Sequence, residues 1–128
     1  MTLDEFLALV RDRGEYDTRK EAERVSRAVL TVLANRIPPG EAKELSAQLP
    51  APLRPAARPG DGRPGSFGVD EFCRRVAQRV GGHLRTAEWD ASAVLSTVAE
   101  AVSGGELNQL LSQLPSGYAT MFGKPWLS

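Results

Sequence analysis

The stretch AERVSRAVLTVLANRIPPGEAKELSAQLP at residues 22–50 recurs as AEWDASAVLSTVAEAVSGGELNQLLSQLP at residues 87–115. The two stretches lie 65 residues apart, and 12 of their 29 aligned positions carry the same amino acid. A match of this extent at a fixed offset indicates an internal duplication. We therefore interpret the whole chain as two tandem repeats.

The match extends toward the N-terminus, where Leu3-Asp4-Glu5-Phe6 recurs as Val69-Asp70-Glu71-Phe72. Between the matching regions, residues 50–68 contain five of the nine prolines, which is typical of a linker. The sequence predicts a first helical repeat at 1–57, a Pro/Gly/Arg linker at 58–66 and a second helical repeat at 67–128. Because a unit of about 55 residues buries too little surface to be stable alone, we expect one shared core.

Each repeat has the apolar spacing of amphipathic helices joined by short turns. Capping boxes are predicted at Thr2, Thr18 and Ser103, and Gly14 is expected to end the first helix. No run of alternating β-branched residues indicates a strand. The sequence therefore predicts an all-α fold, with two quasi-identical three- to four-helix repeats packed into one helical bundle.

Composition excludes several classes of protein. The 128 residues include 16 basic and 16 acidic side chains, so a strongly basic nucleic-acid binder is disfavoured. One cysteine and one histidine cannot supply a four-ligand zinc site, and we expect neither a metal nor a cofactor. No signal peptide and no membrane-spanning stretch of about 18 apolar residues is visible, so a soluble cytoplasmic protein is expected.

The residues that could carry chemistry have simple structural explanations. Cys73 lies on an apolar stripe, which favours a small buried side chain over a nucleophile, and a pair with His83 has no support. The acidic pairs beginning at Asp4 and Asp70 fit the first turns of helices. The Gly-Glu steps that end at Glu41 and Glu106 lack phosphate-loop spacing and are interpreted as helix starts. No catalytic group of residues is visible, so the chain is not expected to be an enzyme.

Basic residues form one candidate contact surface for phosphates or an acidic partner. Three of them share one side of the second helix and two lie toward the linker. Interleaved acids favour a simple solvated face instead. The basic candidates are Lys20, Arg24, Arg27, Arg54 and Arg58.

Aromatic residues form the other candidate surface. Trp89 stands where the first repeat has Arg24, and this break in the duplication indicates a contact surface for a protein partner. Tyr118 and Trp126 are assigned to the same candidate surface. The alternative, that Trp89 only covers the C-terminal segment, stays open.

The paired motifs Asp-Glu-Phe, Ala-Val-Leu, Gly-Glu and Gln-Leu-Pro, each occurring twice, resemble the bacterial domain of unknown function 2267 (DUF2267) family. The resemblance covers the chain from Leu3 to Phe122. It implies an all-helical, duplicated, cytosolic bacterial protein, and it brings no activity and no catalytic residues. One departure is Pro39 with Ala42, where the second repeat has the better capped start at Ser103.

These observations favour a non-catalytic protein-interaction or adaptor module that acts through a partner protein or through self-association. One alternative is a nucleic-acid-associated or regulatory protein that uses the basic residues. The other is a small-ligand binder or enzyme with a site between the repeats.

Overall fold

The computed structural model describes residues 1–60 and 64–123, and it describes Leu84 by its backbone alone. Within these ranges the chain is all-helical and contains no strand, which confirms the predicted fold class. None of the described helices is long and apolar enough to cross a membrane. The elements are α1 (Leu3–Gly14), α2 (Arg19–Arg36), α3 (Pro39–Gln48), a 3₁₀ helix (Ala51–Ala57), α4 (Val69–Val80), α5 (Leu84–Ala101), α6 (Gly104–Ser112) and α7 (Tyr118–Met121).

The start of α1 follows the sequence prediction. Thr2 Oγ1 accepts from the Glu5 N–H, and the Glu5 carboxylate accepts from the Thr2 N–H, both at 3.1 Å. The end of α1 differs by one position, because the left-handed residue is Glu15, with φ 55°, rather than Gly14. Gly14 is required for another reason: a Cβ there would overlap the ring of Tyr16.

The other two predicted capping boxes are only half formed. Thr18 and Ser103 each accept from the N–H three residues onward, at 3.1 Å. The reciprocal partners are different, however. Glu21 pairs with Arg24, and the Ser103 N–H donates to Gln48 Oε1 at 2.8 Å. The carboxylate of Glu106 therefore does not form the capping hydrogen bond that the sequence predicted.

The two halves of the chain interleave. Helix α1 packs on α2 and on α5, and α4 packs on α5 and on α2. Helices α2 and α5 also contact each other, while α3 contacts α6 and α7 packs on α5. With the exception of Ala93, the buried apolar side chains of both halves belong to one contiguous cluster, so the core is shared between them.

Polar contacts also join the halves. The Tyr16 hydroxyl donates to Asp90 Oδ1 at 2.5 Å, and Arg24 donates to the Val80 carbonyl at 2.7 Å. Asp90 is buried, and the loss of water raises the pKa of its carboxyl group. The Tyr16 hydroxyl supplies a hydrogen bond to this carboxylate in place of the lost water. Arg13 reaches Glu100 at 2.6 Å.

Hydrogen bonds fix the C-terminal end of the predicted linker. The Gly65 N–H donates to the Asn35 carbonyl at 3.0 Å, and Arg36 donates to the Phe67 carbonyl at 2.7 Å. The Tyr118 hydroxyl donates to the same Phe67 carbonyl at 2.9 Å. The first two bonds attach residues 65–67 to the end of α2, and the third attaches Phe67 to the first residue of α7. Residues 61–63 of the predicted linker lie outside the described residues.

Candidate functional site

Three glutamates from two helices meet at one point of the fold. Glu41 and Glu44 lie on α3 and Glu106 lies on α6, and one carboxylate oxygen from each lies within 4.8 Å of the others. Glu41 and Glu106 are only 6% and 7% exposed, while Glu44 is exposed. We call these three residues the glutamate cluster.

The position of Glu41 and Glu106 in their helices explains why they meet. Each is the third residue of its helix, and the two are 65 residues apart, the offset at which the sequence matches itself. Residues that are equivalent in the two halves come together where α3 contacts α6. The positive end of each helix dipole favours a carboxylate in this first turn.

Hydrogen bonding leaves the two buried carboxyl groups incompletely paired. Oε1 of Glu41 and Oε1 of Glu106 are both buried and accept no hydrogen bond from an N–H or hydroxyl group among the described residues, so the donor available to this pair is the proton that Glu106 itself holds. Gln48 already occupies the Ser103 N–H that Glu106 would otherwise accept from. On the other side, the N-cap residue of α3 is Pro38, which has no N–H to offer to Glu41. Both glutamates are thus without the usual partner of an N-terminal acid.

The environment changes the chemistry of Glu106. Burial raises the pKa of Glu106 to about 8, and a hydrogen bond with Glu41 and the negative charges of Glu41 and Glu44 contribute in the same direction. Glu106 therefore holds a proton at neutral pH. Carboxylate oxygens are also the preferred ligands of hard cations such as Ca²⁺, Mg²⁺ and Mn²⁺, but because the proton of Glu106 already joins the two buried carboxyl groups, we assign no metal ion to these three residues.

The sequence did not predict this cluster, because the two Gly-Glu steps indicate helix starts and nothing more. They are helix starts, but that role does not occupy their carboxylates. The available signal was the match of the sequence to itself, since Glu41 and Glu106 are aligned in it at the offset of 65 residues. Without the packing of α3 against α6, that signal could not place the two side chains together.

Trp89 is a second distinctive position. Its side chain belongs to α5 and is 52% exposed, and its indole N–H donates to the Gly14 carbonyl at 3.1 Å. One edge of the ring is therefore fixed against α1 while the rest is open to solvent. Beside it is a shallow cavity of about 210 Å³, lined by Trp89 together with residues that include Arg13, Ser96, Met121 and Gly123.

The other aromatic candidates do not join Trp89. Tyr118 is fully buried, its ring meets Phe72 edge to face at 5.4 Å, and its hydroxyl is bonded to the Phe67 carbonyl. The assignment of Tyr118 to a contact surface is therefore corrected, because the apolar spacing around it belongs to the core. Trp126 lies outside the described residues.

Most of the basic candidates form ion pairs or hydrogen bonds within the chain. Arg24 pairs with Glu21 at 2.7 Å, and Arg27 lies 3.4 Å from Glu23. Arg54 donates to the Leu49 carbonyl at 3.1 Å and to the Ala47 carbonyl at 3.3 Å, at the end of α3. Lys20 and Arg58 are exposed. Three of the five predicted phosphate or acidic-partner contacts thus have intramolecular partners.

The remaining chemical candidates have structural roles. Cys73 is buried, and burial raises the pKa of its thiol to about 11, so it stays protonated at neutral pH. His83 is exposed at the start of α5. Asp4 pairs with Arg19 at 2.6 Å, and Glu71 pairs with Arg74 and Arg75.

Two clefts bear on the prediction of a ligand site between the repeats. A cleft of about 570 Å³ is lined entirely by the first half, from Asp4 to Arg19. A cleft of about 450 Å³ lies between α2 and α4 and is lined mainly by polar side chains, including Asn35 and Gln78. Arg75, which also lines it, is already bound to Glu71 and lies over the ring of Phe67 at 3.9 Å.

A family model described as "Uncharacterized conserved protein (DUF2267)" matches residues 3–121. No curated protein matches the chain.

Proposed function

Since the chain belongs to the DUF2267 family, whose description names no activity, we propose its function from its own geometry: it is a non-catalytic module that binds another protein through a contact centred on Trp89. The exposed and immobilised indole is the observation that carries this proposal. Tryptophan is among the residues that contribute most to protein interfaces, and fixing its edge in advance lowers the entropy lost on binding.

The burial pattern around Trp89 supports this choice. Among the described residues, the large hydrophobic side chains that are exposed are Trp89 and the N-terminal Met1. The equivalent position in the first half is Arg24, which is bound to Glu21 and to the Val80 carbonyl. The second half therefore presents an apolar surface where the first half closes the same position with an ion pair.

The architecture of the module is part of the proposal. We infer two tandem repeats that pack about a pseudo-twofold axis, with boundaries at 1–57, 58–66 and 67–128. Helices α1 and α4 both have 12 residues, and α2 and α5 both have 18, which supports the inference. The resemblance to bacterial relatives and the single buried cysteine favour a reducing bacterial cytoplasm.

A comparative capture experiment tests the function. Tagged wild-type protein, Trp89→Ala and Arg85→Ala are used to capture proteins from the host lysate at low and high salt. Arg85 is the matched control because it is an exposed residue of the same helix. We expect a stoichiometric protein that wild type and Arg85→Ala retain and Trp89→Ala loses by about tenfold or more, as for an interface hot spot.

Two further measurements complete the test. Circular dichroism and Tm show whether Trp89→Ala keeps its fold, and sedimentation at several concentrations shows whether the partner is a second copy of the chain. The proposal is wrong if a folded Trp89→Ala keeps the same partners and the same oligomeric state as wild type.

The nucleic-acid alternative has weaker support, because Arg24, Arg27 and Arg54 already have partners within the chain. The same capture experiment addresses it. Nucleic acid that binds wild type at low salt and leaves as salt rises would replace the protein-binding proposal.

A further inference from the structure

We propose that the buried carboxyl groups of Glu41 and Glu106 form a proton-dependent latch: one shared proton holds α6 against α3, and the loss of that proton lets α6 separate from α3. The latch is a conformational device of the fold, and it is distinct from the Trp89 surface. Three features of the molecule support it, namely the geometry of the carboxyl pair, the attachment of α6 to α3 and the charges around the pair.

The two carboxyl groups face each other where little water reaches them. Glu41 and Glu106 are both more than nine-tenths buried, and one carboxylate oxygen of each lies within 4.8 Å of the other. No N–H or hydroxyl group of the described residues donates to their buried Oε1 atoms. Two negative charges so close together and without water strongly disfavour each other. One proton between them removes one charge and supplies the missing hydrogen bond.

The attachment of α6 explains why the pair can act as a latch. Among the helices, α3 is the main neighbour of α6. At the start of α6 the Ser103 N–H donates to Gln48 of α3, and three residues further on Glu106 meets Glu41. Helix α3 also packs on α2 and on the 3₁₀ helix. Repulsion between two ionised carboxylates therefore moves α6 rather than α3, and water that enters between the helices hydrates both groups.

The charges around the pair do not neutralise it. Those that act on Glu106 are the negative charges of Glu41 and Glu44, and α6 has no other charged side chain. Within the described part of the chain, no basic side chain forms an ion pair with these three glutamates. The basic side chains of α3, of the 3₁₀ helix and of the adjoining end of α2 are exposed or bound to main-chain carbonyls, and they are Lys43, Arg54 and Arg36.

The direction of the pH dependence follows from this environment. In the closed form, burial, the hydrogen bond with Glu41 and the negative charges of Glu41 and Glu44 raise the pKa of Glu106 from 4.5 to about 8. In the open form Glu106 is hydrated and recovers its ordinary pKa. Between pH 4.5 and 8 the closed form therefore binds a proton that the open form releases to solvent, so rising pH favours opening. Above this window neither form holds the proton, and opening increases no further.

Hydrogen–deuterium exchange of the full chain at pH 5.5 and 8.5 tests the latch. The readout is the protection factor of the α6 amides, and the amides of the core helix α2 report global unfolding beside it. In wild type the α6 protection factor is expected to fall by about tenfold or more between these pH values, because one proton is released on opening. At pH 8.5 the α6 amides are expected to be less protected than those of α2, as for a local opening.

Two variants remove one ionisable group each while keeping its shape. The pH dependence of α6 protection is expected to disappear in Glu106→Gln and to weaken in Glu41→Gln, where an amide can donate to Glu106. The matched control is Glu88→Gln, which removes an exposed acid of α5 and should follow wild type. Circular dichroism at each pH checks that the variants are folded.

Three results would overturn the proposal. The first is an α6 protection factor in wild type that is the same at pH 5.5 and 8.5. The second is a folded Glu106→Gln variant that keeps the wild-type pH dependence. The third is equal protection of α6 and α2 at pH 8.5, because the proton would then stabilise the whole fold rather than one contact. Capture of a partner through Trp89 is a separate readout, so either proposal can fail without the other.

Discussion

Glu106 shows how packing changes the chemistry of a single residue. An acid in the first turn of a helix ordinarily has a stabilised charge, because the positive end of the dipole lies beside it. Here the loss of water and the proximity of two other carboxyl groups outweigh the dipole and raise the pKa of Glu106 to about 8. The sequence could predict the helix start but not the burial, which depends on a residue 65 positions away.

The raised pKa predicts how stability depends on pH. The ordinary pKa of 4.5 applies to Glu106 in the unfolded chain, and about 8 applies in the folded chain. Between these values the folded state binds more protons, so the contribution of Glu106 to the free energy of unfolding falls as pH rises through 8. The favourable contribution is fully present below pH 4.5.

Urea unfolding of Glu106→Gln and wild type at several values between pH 4.5 and 8.5, without divalent cations, measures this contribution. The stability of the variant relative to wild type is expected to increase with pH over that window. Glu88→Gln removes an exposed acid outside the glutamate cluster, so it serves as the control and should follow wild type. A constant difference between Glu106→Gln and wild type across the window would contradict the raised pKa.

At the scale of the helices, the sequence predicts where a helix begins or ends when the residues that form its cap are close together in the chain. Thr2 and Glu5 complete their capping box within four residues, and proline ends α3 as expected. The prediction at Ser103 is only half right because the competing acceptor, Gln48, comes from the other half of the chain. Local sequence contains no information about such a competitor.

The bond between Gln48 and Ser103 leads to a prediction with a built-in control. Gln48→Ala leaves the N–H of the α6 cap without its acceptor and is expected to reduce the free energy of unfolding by about 0.5–1.5 kcal/mol. Gln113 is the equivalent residue of the second half, but the residue it would bond is Pro38, which has no N–H. Gln113→Ala is therefore expected to be almost neutral in chemical denaturation, and equal losses in the two variants would disprove the asymmetry.

At the scale of the molecule, the all-helical class could be predicted because apolar spacing and proline positions are encoded in each segment. The way in which the halves interleave could not be predicted. Helix α1 packs on α5, and α4 packs on α2, through buried side chains of similar type. The hydrophobic character of these side chains predicts that they are buried, but it does not specify which helix they pack against. The candidate site was missed for the same reason, since it exists only where α3 contacts α6.

Because helices of one half pack on helices of the other, we expect that neither half folds well alone. Residues 1–57 lack the α4 and α5 surfaces that cover α1 and α2, and residues 67–128 lack the α1 and α2 surfaces in return. We expect each fragment to show much less helix by circular dichroism than its share of the intact chain, and an equimolar mixture to regain it. Cooperative thermal unfolding of an isolated 1–57 fragment at the Tm of the intact chain would contradict this.

The interleaved arrangement also frees the molecule from a symmetry constraint. In a dimer of identical subunits, every residue near the twofold axis must occur on both sides, so a substitution always changes two places at once. A single chain that contains both halves can change one side alone. This is how Trp89 can face solvent while Arg24 is bound by Glu21, and how Gln48 can cap a helix while Gln113 has no matching N–H. Joining the halves thus gives the protein two independently variable surfaces on one shared core.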